Sequence, residues 1–358
     1  MLKVNSSDST FNNFIWAYNS YQQYKFLHET GDPATLDRQI EISNDIDAIP
    51  VFSFHESEKI HNSLHPTVIV NSGEEGSYIF DFLGAKPFPT DKKVIFFSDS
   101  NFKLVDREKY NCLPIVWHWF LLEQFTAIAS NRHIASFVDL TRDFTKTRKF
   151  NFCSLVGFAR PLRDTLVNKL ISNLSNRNFV LQYNGNTLGQ EPIGDIKYKF
   201  SNYNSYQKYD ILNAQNEHFT ISKSIPIELY NNSNFMLVVE CLLHDNYDTH
   251  ITEKITKALI TGIPFIVVSS SNYLTQLREL GFRTYNSLWD ESYDTITPAE
   301  DRFDAIVDLI NQLDSFDWIA NADKLEAIAN HNKLNFFNLN KTMIAAFEQF
   351  DKYIYDVL

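Results

Sequence analysis

A chain of 358 residues is long enough for two ordinary domains with full cores, and 44% hydrophobic with 21% charged residues excludes a disordered or low-complexity protein. The formal net charge of −12 removes counterion-driven attraction to DNA or RNA as a default, so no stable nucleic-acid binding is expected. Cys112, Cys153 and Cys241 are scattered, make no metal spacing and suit a reducing compartment; no apolar leader opens the chain and no run reaches a membrane span, so a cytoplasmic protein is expected.

In chain order, Asp8 or Ser9 can cap a helix whose Phe11, Phe14, Ile15, Tyr18, Tyr21 and Phe26 lie mostly on one face, with Gly31 as its stop. Short apolar runs follow at Pro50–Phe54, Thr67–Asn71, Val94–Phe97 and Pro114–Trp117, then a helical stretch from Trp119 to Ile128 and a further strand at Ala135–Val138. Strands alternating with helices imply a mainly parallel sheet covered on both sides. The cluster Arg142, Lys146, Arg148 and Lys149 reads as a solvated connector or, in the alternative, a basic rim facing an anion, and closes a first domain over 1–148.

A second domain over 149–335 opens with the strand Phe150–Val156 and a turn carrying Arg160 and Arg163 into a helix, the usual start of a doubly wound unit. Either arginine can grip a diphosphate bidentately, or both are surface residues; Arg160 lies closer to the strand end. Phe179–Leu181 adds a strand, while Tyr183 to Leu229 follows no regular pattern. The unbroken apolar run Phe235–Val239 ends in Glu240, a carboxylate that is costly at a buried strand end unless something binds it. Next come Thr249-His250-Ile251-Thr252-Glu253-Lys254, an apolar helix and the turn Gly262-Ile263-Pro264 into another buried strand, with a further helix from Arg302 to Leu313.

A helix start at Thr252 offers free N–H groups and partial positive charge to a phosphate, Lys254 adds a full charge, and Glu253 can accept bonds from vicinal sugar hydroxyls. The competing reading is ordinary capping by Thr252, with Glu253 favoured by the dipole and Lys254 solvated. No GxGxxG, Walker loop or convincing Asp-x-Asp is present, so nicotinamide dehydrogenases and phosphate-loop kinases are disfavoured.

Phe235, Glu240, the Thr252-Glu253-Lys254 step and the Gly262-Ile263-Pro264 turn resemble the nucleotide-binding region of the α-1,3-fucosyltransferase family, with Cys241 where that family has Asn and His250 where it usually has Tyr. Leu280–Tyr285 and Trp289–Asp294 are similar to segments of uncharacterised phage and bacterial glycosyltransferase-like proteins. The resemblance implies an α/β chain of two Rossmann-like doubly wound domains, the GT-B architecture with an interdomain cleft. It also implies a glycosyltransferase that moves a sugar to a glycan or other hydroxyl acceptor in the cytoplasm of a bacterial or virus-infected cell. A GDP-sugar is the favoured donor and a UDP-sugar the second choice, contacted by Arg160, Arg163, Glu240, Thr252, Glu253 and Lys254; no tightly bound cofactor and no metal are expected. Residues 336–358 then form a terminal helix that packs back on the first domain or caps its own. Two alternatives stay open: a viral-type enzyme glycosylating a nucleic-acid base or a protein, and a catalytically silent glycan- or sugar-nucleotide-binding protein.

An acceptor hydroxyl needs a base, and the loop Asn71-Ser72-Gly73-Glu74-Glu75-Gly76 after a buried strand places two acids between glycines that let backbone approach a ligand. Glu74 and Glu75 are therefore the catalytic candidates, against the reading that they favour the first turn of a following helix; His55, Glu56, His118 and Glu123 are weaker choices. If one of the pair is the base, its replacement by Gln should leave donor binding intact and slow sugar transfer by roughly 10²–10⁴-fold, measured as turnover beside nucleotide affinity.

Overall fold

Thr67–Asn71 is buried along its whole length, and Lys93–Ser98 is buried past its first residue, as in strands covered on both faces. In the computed structural model, described over residues 2–7, 9–25, 38–53, 56–72, 87–98, 104–117, 142–157, 159–184, 186–190, 226–245, 249–337 and 340–355, these runs lie in the first of two units. One unit is Met1–Trp119 with Leu339–Leu358, the other Phe120–Asn338. Both are α/β, each built on a sheet, the first of six parallel strands and the second of five mainly parallel strands.

The first sheet comprises β1 (Leu2–Asn5), β2 (Ile40–Ile42), β3 (Ile49–Ser53), β4 (Thr67–Asn71), β5 (Lys93–Ser98) and β6 (Leu113–Val116) in the order β2-β1-β3-β4-β5-β6, all parallel. Strands β1 and β2 escape pattern reading: one alternates over four residues and the other has three, too few for a period to register. Helix α1 (Ser9–Lys25) buries Phe11, Phe14, Ile15 and Tyr18, as its spacing predicts. Phe14 meets Phe97 of the sheet and also Phe347 and Phe350 of the last helix of the chain, Asn340–Tyr355. That helix is also tied by Asp351, which accepts from Tyr18, from Gln22 at 3.4 Å and from Arg38 at 2.5 Å. Helices α2 (Ser57–Asn62) and α3 (Leu104–Tyr110) complete the described part of this unit. The expected elements at Trp119–Ile128 and Ala135–Val138 lie outside the described residues.

The second sheet comprises β7 (Phe150–Val156), β8 (Phe179–Tyr183), β9 (Asn186–Gly189), β10 (Ser233–Val239) and β11 (Phe265–Val268) in the order β11-β10-β7-β8-β9, with only β9 antiparallel. From β7 the chain moves outward to β8 and β9, then restarts on the other side at β10 and β11. Right-handed crossovers in opposite directions put the connecting helices on opposite faces, which makes the sheet doubly wound and places its reversal between β7 and β10.

The helices of this unit are α4 (Pro161–Asn173), α5 (Ile227–Asn231), α6 (Glu253–Thr261), α7 (Tyr273–Glu279), α8 (Ala299–Leu313) and α9 (Ala322–Phe337); the terminal helix α10 (Asn340–Tyr355) belongs to the first unit. Gly262 ends α6 at φ +71°, and a Cβ there would come within 3.0 Å of Ala329 and 3.2 Å of Lys333 on α9, so this turn requires glycine.

The basic cluster is only in part the solvated stretch its charge implies: Lys146 and Lys149 are exposed, whereas its two arginines turn inward. Arg142 is buried, donating to the carbonyls of Tyr230 at 2.6 Å, Ser233 at 2.5 Å and Asn234 at 3.1 Å, while Arg148 reaches that of Asn231 at 2.6 Å. The two arginines satisfy carbonyls at the entry to β10 that would otherwise be stranded. Arg142→Leu should therefore destabilise the protein by about 3 kcal/mol, read as a lowered urea midpoint, because it leaves those acceptors buried and unpaired.

Candidate functional site

The reversal of the second sheet sets the carboxyl ends of β7 and β10 side by side, with Cys153 opposite Met236 in register. Open α/β sheets take ligands in the crevice outside strand ends at such a reversal. Gly157 leaves β7, Glu240 leaves β10, and Ser269 leaves β11. The backbone N–H of Glu240 donates to Val268 at 2.9 Å and that of Ser270 to Leu242 at 2.9 Å, which fixes the loop after β10 against its neighbour.

Pro161 pre-sets the first turn of α4, and Arg160 precedes it in extended conformation without capping the helix through its side chain. Arg163, one turn in and buried, donates Nη2 to the carbonyl oxygen of Glu240 at 2.9 Å. Arg160 is exposed and donates Nη1 to the carbonyl oxygen of Cys241 at 3.3 Å. The opening of α4 is thus tied to the two residues that follow β10.

Thr252 is the N-cap of α6, its hydroxyl accepting from the backbone N–H of Lys254 at 3.3 Å. The same hydroxyl donates to Oε2 of Glu240, and the Lys254 ammonium lies 3.3 Å from it. Lys254 Nζ also donates to Glu253 Oε1 at 2.9 Å and reaches Cys241 Sγ at 3.5 Å. Arg160 and Lys254 therefore converge on one residue, one on its carbonyl and the other on its thiol. Two cations and a helix N-terminus share the carboxyl end of the sheet, above the buried Arg163.

Burial raises the pKa of Glu240, against the pull of Lys254 and the Thr252 and Tyr273 hydroxyls. Burial also opposes ionisation of Glu253, but the charges of Lys254 and Lys257 outweigh it and draw its carboxyl down to about 2. Burial would strip Lys254 of its proton, yet Cys241, Glu253 and Glu240 reverse that and hold it well above the ordinary lysine range. At neutral pH the pair at the start of α6 is an ion pair, Glu253 the acceptor and Lys254 the donor.

Glu240, Thr252, Glu253, Lys254, Arg160 and Arg163 thus surround one strand end. Their placement corrects the simplest picture of two of them. Glu240 is fully buried with both oxygens used inside the protein, by Thr252 and by Tyr273 at 2.8 Å, and Arg163 is spent on a carbonyl. Glu74, Glu75, His55, His118 and Glu123 lie outside the described residues. Glu56 is described: Lys59 at 2.5 Å and the Ser53 N–H at 2.9 Å hold its carboxyl below the ordinary range, which suits a loop anchor rather than a base near neutral pH. Tyr273 and Arg302 escaped the sequence reading, since nothing near them in the chain signals a role. Arg302 is buried and binds Asp245 at 2.6 Å and the Leu243 carbonyl at 3.0 Å, so Asp245 belongs to an ion pair and the loop after β10 is stapled from below. Among the described residues no three His, Cys, Asp or Glu side chains gather as a metal site, and no helix is long and apolar enough to cross a membrane.

No protein-family model matches the chain, and no curated protein matches it in sequence. Among solved structures it is similar to a DNA-modifying β-glucosyltransferase determined in the presence and absence of uridine diphosphoglucose, at a TM-score of 0.45 and 8% identity over 99% of this chain and 98% of that one. A likeness of that degree carries no inference about what this chain does.

The ion pair has a pH signature. Folding lowers the Glu253 pKa from 4.5 to about 2, so its ionised form contributes stability that is complete above about pH 4.5 and is lost as pH falls towards 2. Glu253→Gln should lower stability at neutral pH by at most about 3 kcal/mol, and the gap from wild type in urea midpoint should close through that window. A gap that stayed constant with pH would show that Glu253 is not held ionised by its lysines.

Proposed function

We propose that the chain is a glycosyltransferase whose second unit takes a nucleoside diphosphate sugar at the joined ends of β7 and β10. The observation that carries this reading is the convergence of Arg160 and Lys254 on Cys241 beside the N-terminus of α6, at the reversal of a doubly wound sheet. A diphosphate fits such a seat because its charge is spread over several oxygens: Lys254 meets it as a point charge, Arg160 as a planar fork, and the helix N–H groups as fixed dipoles. Glu253 stays a carboxylate and keeps one oxygen on Lys254; the second is suited to accept from vicinal hydroxyls of a ribose or sugar.

In the reaction the bond from the anomeric carbon to the diphosphate oxygen breaks, and the leaving diphosphate takes the electron pair. Negative charge builds on that oxygen, and Lys254 and Arg160 are poised to stabilise it without reorganising. The acceptor hydroxyl forms the new bond to the anomeric carbon and gives its proton to a base, for which Glu74 or Glu75 is proposed. A GDP-sugar remains the first donor to try and a UDP-sugar the second, with transfer insensitive to chelators because the chain supplies its own cations.

Calorimetry with GDP and with UDP tests the seat, and release of nucleoside diphosphate from the corresponding sugars tests the chemistry. Lys254→Ala should weaken binding of the preferred nucleotide by about 1.5–3 kcal/mol, and the more exposed Arg160→Ala by about 1 kcal/mol, with the fold retained. Nucleotide affinity unchanged in both variants would remove the donor site from this place. Tight nucleotide binding with no release or transfer from any sugar nucleotide would leave a binding protein instead of an enzyme.

A further inference from the structure

Tyr273 lies in the second unit, 33 residues along the chain from the Glu240 carboxylate to which its phenol donates at 2.8 Å. Both groups are buried, Glu240 completely and Tyr273 to within 1%. The tyrosine is the first residue of α7, and that end of the helix is held in place: Asn272 N–H donates to the Asp294 carbonyl at 2.7 Å, and Leu274 N–H donates to both Asp294 carboxylate oxygens at 3.1 Å. A fixed donor therefore occupies Oε1 of Glu240, and Oε2 is turned to Thr252.

The direction of each bond matters. Tyr273 and Thr252 have one hydroxyl proton each, and a carboxylate can only accept, so both protons point at Glu240. With its proton committed inward, Thr252 presents lone pairs to the N–H and ammonium of Lys254. Were the phenol removed, a fully buried carboxylate would lose one of its two donors and be driven towards protonation. A protonated Glu240 can itself donate to Thr252, which frees the threonine proton to turn towards Lys254 and push the ammonium away.

We infer that Tyr273 is a positioning residue of the donor site, acting through Glu240 and Thr252 to hold the Lys254 ammonium where a nucleoside diphosphate meets it. This rests on the proposed donor reading. Tyr273 contacts no reacting atom in that scheme, so its effect on donor binding, and on the charge that Lys254 steadies in the leaving diphosphate, runs wholly through Lys254.

The test is a double-mutant cycle in nucleotide affinity, using GDP and UDP as probes in calorimetry, with KM and kcat for the matching sugar nucleotide wherever turnover is found. Tyr273→Phe removes one oxygen and keeps the ring. It should raise the dissociation constant and the donor KM by roughly ten-fold, with a fall in kcat no larger than that of Lys254→Ala. In a Lys254→Ala background the same change should have no further effect on affinity, because the group through which it acts is gone. Should Tyr273→Phe fail to fold, Glu240→Gln, which leaves Thr252 facing an amide, reads the same coupling to Lys254→Ala. If Lys254→Ala lowers affinity but Tyr273→Phe does not, or if the two losses add, the relay is overturned while the donor site stands. If Lys254→Ala has no effect, the relay has no group to act through and is overturned; if Arg160→Ala has none either, the donor site itself fails.

Discussion

A carboxylate buried at the end of a central strand is the constraint around which the second unit is arranged. Glu240 follows the apolar run of β10 and reaches no solvent, so its charge has to be answered from within the protein. Four residues supply the answer: Thr252 before α6, Tyr273 at the start of α7, Lys254 in the first turn of α6, and Arg163 on the residue's carbonyl oxygen from α4. A single acidic residue thereby brings together the starts of three helices at the place where the sheet reverses.

That arrangement accounts for the polarity of the rim. Arg163 and Glu240 are used up in structure, which leaves the more exposed Arg160 and the partly buried pair Glu253 and Lys254 as the charged groups of the proposed donor seat. A rigid buried layer beneath a charged outer layer is how a site keeps donors aimed without reorganising when a ligand arrives. The loop after β10 gains the same rigidity from Arg302, whose guanidinium joins Asp245 to the Leu243 carbonyl.

The first unit depends on a related device. Asp351 of the terminal helix collects donors from Tyr18, Gln22 and Arg38, over a floor of Phe14, Phe97, Phe347 and Phe350. Buried tyrosine and carboxylate share a proton donor and acceptor there too, and burial with the Asp351 bond pushes the Tyr18 phenol far above its ordinary range. The last helix is thus part of the core of the unit to which the first helix belongs.

What could be read from the chain alone was local. Burial on both faces shows as an unbroken apolar run, so β4, β5, β10 and β11 were legible, and the Thr252 cap, the Pro161 start and the Gly262 stop follow from backbone chemistry within a few residues. The gathering of Glu240, Thr252, Glu253 and Lys254 at one strand end was legible because they lie within one strand, loop and helix start. Short β1 and β2 were not, since three or four residues carry no period, and the buried fate of Arg142 was not, since charge alone looks the same whether water or a carbonyl faces it. Only the tertiary structure decided that Arg163 reaches across 77 residues to Glu240, that Tyr273 reaches across 33, and which atoms they occupy. The reason is physical: propensity and capping act through neighbours in the chain, whereas the partner of a buried polar atom is chosen by strand order, which brings distant residues within hydrogen-bond reach and leaves no local trace.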